Sequence, residues 1–92
     1  MRFEWDESKR QANIRKHGID FLDAIQIFDG YTFSYEDNRF DYGEQRFITL
    51  GILIANVIVV IHTFIENDTI RIISARKATK YEQKRFISSL SN

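Results

Sequence analysis

Arg46-Phe-Ile-Thr-Leu-Gly-Ile-Leu-Ile-Ala-Asn-Val-Ile-Val-Val-Ile-His-Thr-Phe64 is the stretch whose reading decides the fold class. Arg46 to Leu53 and Val57 to Phe64 read as two strands dense in β-branched and aromatic residues. Ile54-Ala55-Asn56 between them reads as a tight turn, with Asn56 as the residue able to take a positive φ. The run Val57-Ile-Val-Val-Ile61 shows no polar alternation, which predicts a central strand covered on both faces. Glu66-Asn67-Asp68 gives another turn signal and Thr69 to Ser74 another strand. Consecutive strands joined by such short turns make an antiparallel meander.

Working outward, Tyr31 to Tyr35 is an aromatic, Thr-rich strand candidate, and Glu36 to Glu44 is a polar loop around Gly43. Upstream, Phe3-Glu-Trp5 alternates as a short strand would. Asp6 then offers an N-cap for a helix over Glu7 to Lys16, ended by a left-handed Gly18. Only Ala12 and Ile14 are aliphatic in that helix, while Lys9, Asn13 and Lys16 share one face at i, i+4, i+7. Asp20 caps a second helix whose stripe is Phe21, Ala24, Ile25 and Phe28, closed by Gly30. Downstream, Thr79-Lys-Tyr-Glu82 matches a capping box and opens a last helix with Phe86, Ile87 and Leu90 as its buried stripe. Residues 88–92 read as a frayed tail. The order β–α–α–β–β–β–β–α predicts an α+β domain over 1–92, an antiparallel sheet meander with two N-terminal helices and a C-terminal helix packed on it.

The chain has 92 residues, 43% hydrophobic and 28% charged, enough for one core and no second. It has no cysteine, which excludes disulfides, thiolate metal ligands and a thiol nucleophile. No apolar run approaches the ~20 residues of a membrane span, so a cytoplasmic protein without a membrane partner is expected. The net charge of zero conceals three unlike regions. Residues 1–17 hold five basic against three acidic side chains; residues 18–44 hold Arg39 against seven acids; residues 45–92 hold seven basic against three acidic. A cationic end suits an anionic ligand, and an acidic middle suits a cationic partner; both also suit plain solvation.

Catalytic signatures are few. His17 and His62 are far apart and no acid spacing resembles a metal set, so no metal and no cofactor are expected. The glycines at 18, 30, 43 and 51 are scattered and form no phosphate-cradling loop. The cations stand out instead. Arg76-Lys77 follows a strand and precedes the capped helix, and Lys77, Lys80 and Lys84 recur at i, i+3, i+7. These residues read either as a phosphate-binding face or as a solubilising one. For Arg71 and Arg76, ion pairs with Glu44 or Glu82 are the alternative to ligand contact. His17 suits either a helix C-terminus or proton transfer, and His62 suits a satisfied imidazole in the sheet. Trp5, Phe3, Phe21 and Phe28 read as core; Tyr35, Phe40 and Tyr42 either pack or stack on bases.

Several stretches in order resemble the BrnT family of toxins from bacterial type II toxin–antitoxin systems. They are Phe3-Glu-Trp-Asp6 with Lys9 and Asn13; Lys16-His-Gly-Ile-Asp-Phe21 with Ala24 and Phe28; Arg39 with Asp41-Tyr-Gly-Glu44 and Arg46; and Arg71-Ile-Ile-Ser-Ala-Arg-Lys-Ala78. His62 and the serine-rich end fall outside the match. The resemblance implies a RelE-like fold and an endoribonuclease that halts translation without a metal. It also implies a BrnA-type ribbon-helix-helix antitoxin, which would bring operator DNA to the complex. RNA supplies its own 2′-hydroxyl nucleophile, so the site needs a base, an acid and cations around the phosphorane. On that mapping Arg46 and Arg76 hold the phosphate, Lys9 and Arg71 assist, and His17 carries the proton, with Glu44 and Tyr81 as substitutes. Lys77, Lys80 and Lys84 join Arg71 in binding RNA. The acidic 18–44 segment, through Asp37 and Asp41, is assigned to antitoxin contact. A non-catalytic module that binds nucleic acid or acts through its partner is the alternative.

Overall fold

One five-stranded sheet organises the molecule, built from β1 (Arg2–Glu4), β2 (Phe33–Glu36), β3 (Phe47–Leu53), β4 (Asn56–Ile65) and β5 (Thr69–Lys77) in the order β1-β5-β4-β3-β2. This computed structural model describes residues 1–66 and 68–91; Asn67, in the expected Glu66–Asp68 turn, and Asn92, at the end of the expected tail, lie outside the described residues. β2 through β5 pair antiparallel as expected, and β1 adds one parallel pair, setting Arg2–Glu4 against Thr69–Arg71. β4 is buried continuously from Ile58 to Thr63.

Helices cover both faces. α1 (Glu7–His17), α2 (Phe21–Ala24) and a 3₁₀ turn (Ile25–Asp29) lie on one face, where Phe21, Ala24 and Ile27 meet Ile58, Val60, Ile70 and Ile72. α3 (Lys80–Leu90) lies on the other, where Phe86 joins Ile48, Leu50, Val59 and Ile61. Gly51 is the close approach between the layers, because a Cβ there would stand 2.7 Å from Ile27 Cβ. The expected second helix tightens into 3₁₀ geometry before Gly30, a common ending for short helices.

Local caps follow the sequence. Asp6 accepts from the Ser8 and Lys9 amides, Gly18 sits at φ 72, and the Thr79–Glu82 capping box closes in both directions. Three expectations change. The β3–β4 turn spans Ile54 and Ala55, and the positive φ of 60 belongs to Ile54, because Asn56 already pairs with Leu53. Helix α3 continues through Leu90, so 88–90 are helical; Tyr31 donates to Ser89 there. Only Phe86 of the α3 stripe is buried: Ile87 points away, and Leu90 stands over the groove by Tyr31 and Ile52 at the sheet's edge.

Candidate active site

The edge of β5 is open beyond Arg71, where β1 stops. α1 takes the vacant place through a side chain. The Asn13 carboxamide donates to Ala75 O at 2.9 Å and to Ile19 O at 2.8 Å, and accepts from Ala75 N at 3.1 Å. Between helix and strand lies a cleft of about 280 Å³ lined by Lys9, Ala12, Asn13, Lys16, His17, Ile73 and Ser74. Spacings of four and three along α1 bring Lys9, Asn13 and Lys16 to one side, as the helical period requires.

His17 is half-buried at the end of α1. Partial burial, then the charges of Lys16 and Arg76, hold its pKa below the ordinary 6.5. The ring is therefore neutral at pH 7 and able to accept a proton. Arg76, next to Ala75, pairs through its two terminal nitrogens with Glu82 at 2.8 and 2.9 Å. Glu82 also accepts from the Thr79 amide at 2.8 Å, so the cap of α3 and the arginine share one carboxylate. The guanidinium bonds pull the Glu82 pKa down to about 2 and raise that of Arg76. At neutral pH Glu82 is an anchor for Arg76 and has no proton to give. Arg39 and Tyr35 also lie within electrostatic reach of Arg76.

Lys9 and His17 therefore share the cleft, and Arg76, which pairs with Val59 on the α3 side of the sheet, lies within electrostatic reach of His17; Arg46 stands apart. Arg76 pairs with Val59, which pairs with Leu50, four residues from Arg46. At about 3.4 Å per residue and 4.8 Å per strand, the two Cα atoms are roughly 17 Å apart. Arg46 instead pairs with Glu44 at 3.1 Å and lies 4.1 Å above the Tyr42 ring. The expected convergence of Arg46 and Arg76 on one phosphate is not built by this register. Arg71 is exposed and 3.7 Å from Glu4, a neighbour supplied by the parallel β1 pair. Lys77 ends β5 in register with Ile58, on the α1 side of the sheet, so it does not share a helical face with Lys80 and Lys84. The cause is that β5 runs three residues past Ser74 and α3 starts only after Thr79. Lys80, Lys84 and Tyr81 are exposed on α3.

Asp37 also differs from its expected role. Its buried carboxylate takes Arg39 Nε at 2.8 Å, Arg39 Nη2 at 2.9 Å and the Tyr42 hydroxyl at 3.0 Å, and these bonds hold its pKa well below the carboxylate range. Asp41 turns back onto the Gly43 amide. Asp37 is thus a loop organiser and offers no surface to a partner. Sequence reading did not find this cluster; an Asp–Arg pair two apart is too common to signal one. His62 is buried in the sheet, its Nε2 2.7 Å from Thr49 Oγ1, which is 2.7 Å from Ser34 Oγ. Among the described residues no three His, Asp or Glu side chains gather as a metal-ligand set.

The family described as "Ribonuclease toxin, BrnT, of type II toxin-antitoxin system" matches residues 5–82. The crystal structure of the Brucella abortus ribonuclease toxin BrnT superposes with a TM-score of 0.67 at 30% sequence identity. That alignment covers 87% of this chain and 99% of that one. No curated protein sequence matches.

Proposed function

Because the chain belongs to the BrnT family of ribonuclease toxins from type II toxin–antitoxin systems, we propose that it cleaves RNA in the cytoplasm by internal attack of a 2′-hydroxyl, without a metal, and so inhibits translation. The observation that carries the reading is one cleft lined by Lys9 and His17 with Arg76 beside it. Neutral His17 takes the 2′-hydroxyl proton as the oxygen attacks phosphorus. The Arg76 guanidinium and the Lys9 ammonium stabilise the phosphorane, and Lys9 protonates the leaving 5′-oxygen. The products are a 2′,3′-cyclic phosphate and a 5′-hydroxyl. Arg71, Lys80 and Lys84 add backbone contacts to the RNA, and Arg46 and Lys77 serve at most as outlying ones.

A BrnA-type ribbon-helix-helix antitoxin is the partner in this proposal, and operator DNA is reached only through it. The acids of 18–44 left for that contact are the exposed Asp23, Asp29, Glu36, Asp41 and Glu44, the last of them paired with Arg46. A non-catalytic RNA- or partner-binding module is the competing reading, favoured by the bond between Arg76 and Glu82.

The test is purified protein with cellular RNA in EDTA, across pH 4.5–8. We expect cyclic-phosphate ends, an acid limb with its midpoint below 6.5 set by His17, and suppression by the antitoxin. Growth arrest with intact RNA would establish the binding module instead.

A further inference from the structure

We propose that Asn13 is the positioning residue of this site: its carboxamide pins α1 to the edge of β5, and so fixes where Lys9 and His17 stand beside the strand segment that carries Arg76. The inference rests on the cleft being the cleavage site.

Asn13 is the one buried residue of α1, 6% exposed. A helix is ordinarily seated by an apolar stripe, whose fit sets its height and rotation. α1 has no such stripe, since Ile14 is only half-buried and Ala12 is exposed. Its seat is polar. The Asn13 side chain meets Ala75 as a neighbouring strand's peptide group would, one donor and one acceptor to the same residue, at the point where β1 no longer covers the edge. Its second amide hydrogen goes to Ile19 O, which ties in the chain just beyond Gly18.

The placement is what gives this anchor its consequence. Lys9 and His17 lie four residues before and four after Asn13, one turn to either side of it on the same stripe. On the strand, the anchored residue Ala75 adjoins Arg76. A shift of α1 along or away from β5 therefore moves both proton-carrying groups relative to the guanidinium at once. Two directional bonds to Ala75 resist that shift, whereas loose aliphatic contact would allow it.

Asn13→Ala is tested by NMR titration of the His17 ring in the RNA-free protein, alongside RNA cleavage. The wild-type ring should titrate below 6.5, and Arg76→Gln should raise that midpoint. In Asn13→Ala the midpoint should rise by itself, and adding Arg76→Gln should raise it little more. The kcat should fall by about 10²-fold with KM nearly unchanged, the usual scale for a misplacement near 1 Å. The acid limb of cleavage should move with the ring's midpoint. A folded Asn13→Ala with the wild-type midpoint and kcat, merely less stable, overturns the proposal. Asn13→Ser, which keeps one hydroxyl for Ala75, is the milder variant should Asn13→Ala not fold. Loss of fold in both makes Asn13 purely structural and also overturns it. If the wild type cleaves no RNA, the function proposed above fails, and the titration series still decides whether Asn13 sets the spacing of His17 and Arg76.

Discussion

The open edge of β5 and the closed centre of β4 each hold a histidine with a lowered pKa, for different reasons. At the centre, burial alone pulls His62 down to about 4. Phe28, Phe47 and Phe64 surround its ring at 5.4, 5.9 and 5.5 Å between centroids, and its Nδ1 has no hydrogen-bond partner among the described residues. At the edge, His17 is less buried, two cations add to the effect, and the ring borders a cleft. Both rings are neutral at pH 7, yet of the two only the second borders an open cleft. A depressed histidine signals chemistry only where a reactant can reach it. The arginines repeat the lesson: Arg76 shares its neighbourhood with His17, while Arg46 is held in a loop with Tyr42 and Glu44.

The largest effect should separate those two arginines. Arg76→Ala combined with Glu82→Gln, so that no buried carboxylate is left unpaired, should lower kcat by about 10²–10³-fold, equivalent to ~3–4 kcal/mol of transition-state stabilisation. Arg46→Ala should change kcat only a few-fold. Quantified cleavage of one RNA by both variants, with circular dichroism as the check on folding, makes the comparison. Equal losses would mean that the edge and the loop act on the same phosphate after all.

Next in size is the acid stability of the closed site. A histidine titrating near 4 when folded and near 6.5 when unfolded binds fewer protons in the native state between those values, so stability rises with pH across that window. Stability is complete above 6.5 and falls as pH drops from 6.5 to 4, by ~3 kcal/mol in all. His62→Gln should flatten that segment of the urea-denaturation profile and leave the His17-dependent acid limb of cleavage in place. A variant that retains the full loss between 6.5 and 4 would show that the burial of His62 is not its cause.

What could be read in advance depended on the range of the interaction. The left-handed Gly18, the Thr79–Glu82 box and the unbroken apolar run of β4 were legible because each follows from a few neighbouring residues. The family resemblance carried the fold. Lys77 was misread because nothing local marks where β5 yields to α3. The parallel β1–β5 pair, which gives Arg71 its Glu4, joins residues far apart in the chain. So does the Asn13–Ala75 bond, across 62 positions. Asn13 stood on the right helical face beside Lys9 and Lys16, but no sequence pattern states what an asparagine's amide will meet.

The smallest predicted effect concerns the part of the edge that β1 does cover. Arg71 and Glu4 are each about half exposed and 3.7 Å apart, and such surface pairs contribute ~0.5 kcal/mol or less because water and salt screen them. Arg71→Ala should therefore leave the unfolding midpoint almost unchanged. If Arg71 meets an RNA phosphate beside the cleft, the same variant should reduce the slope of log affinity against log salt by about 0.7, the value for one single-strand phosphate contact. Binding of an uncleavable 2′-deoxy oligonucleotide at several salt concentrations measures that slope. An unchanged slope with an unchanged midpoint would confine the nucleic-acid footprint to the open stretch of β5 beyond Arg71, drawing the boundary between the two kinds of region within a single strand.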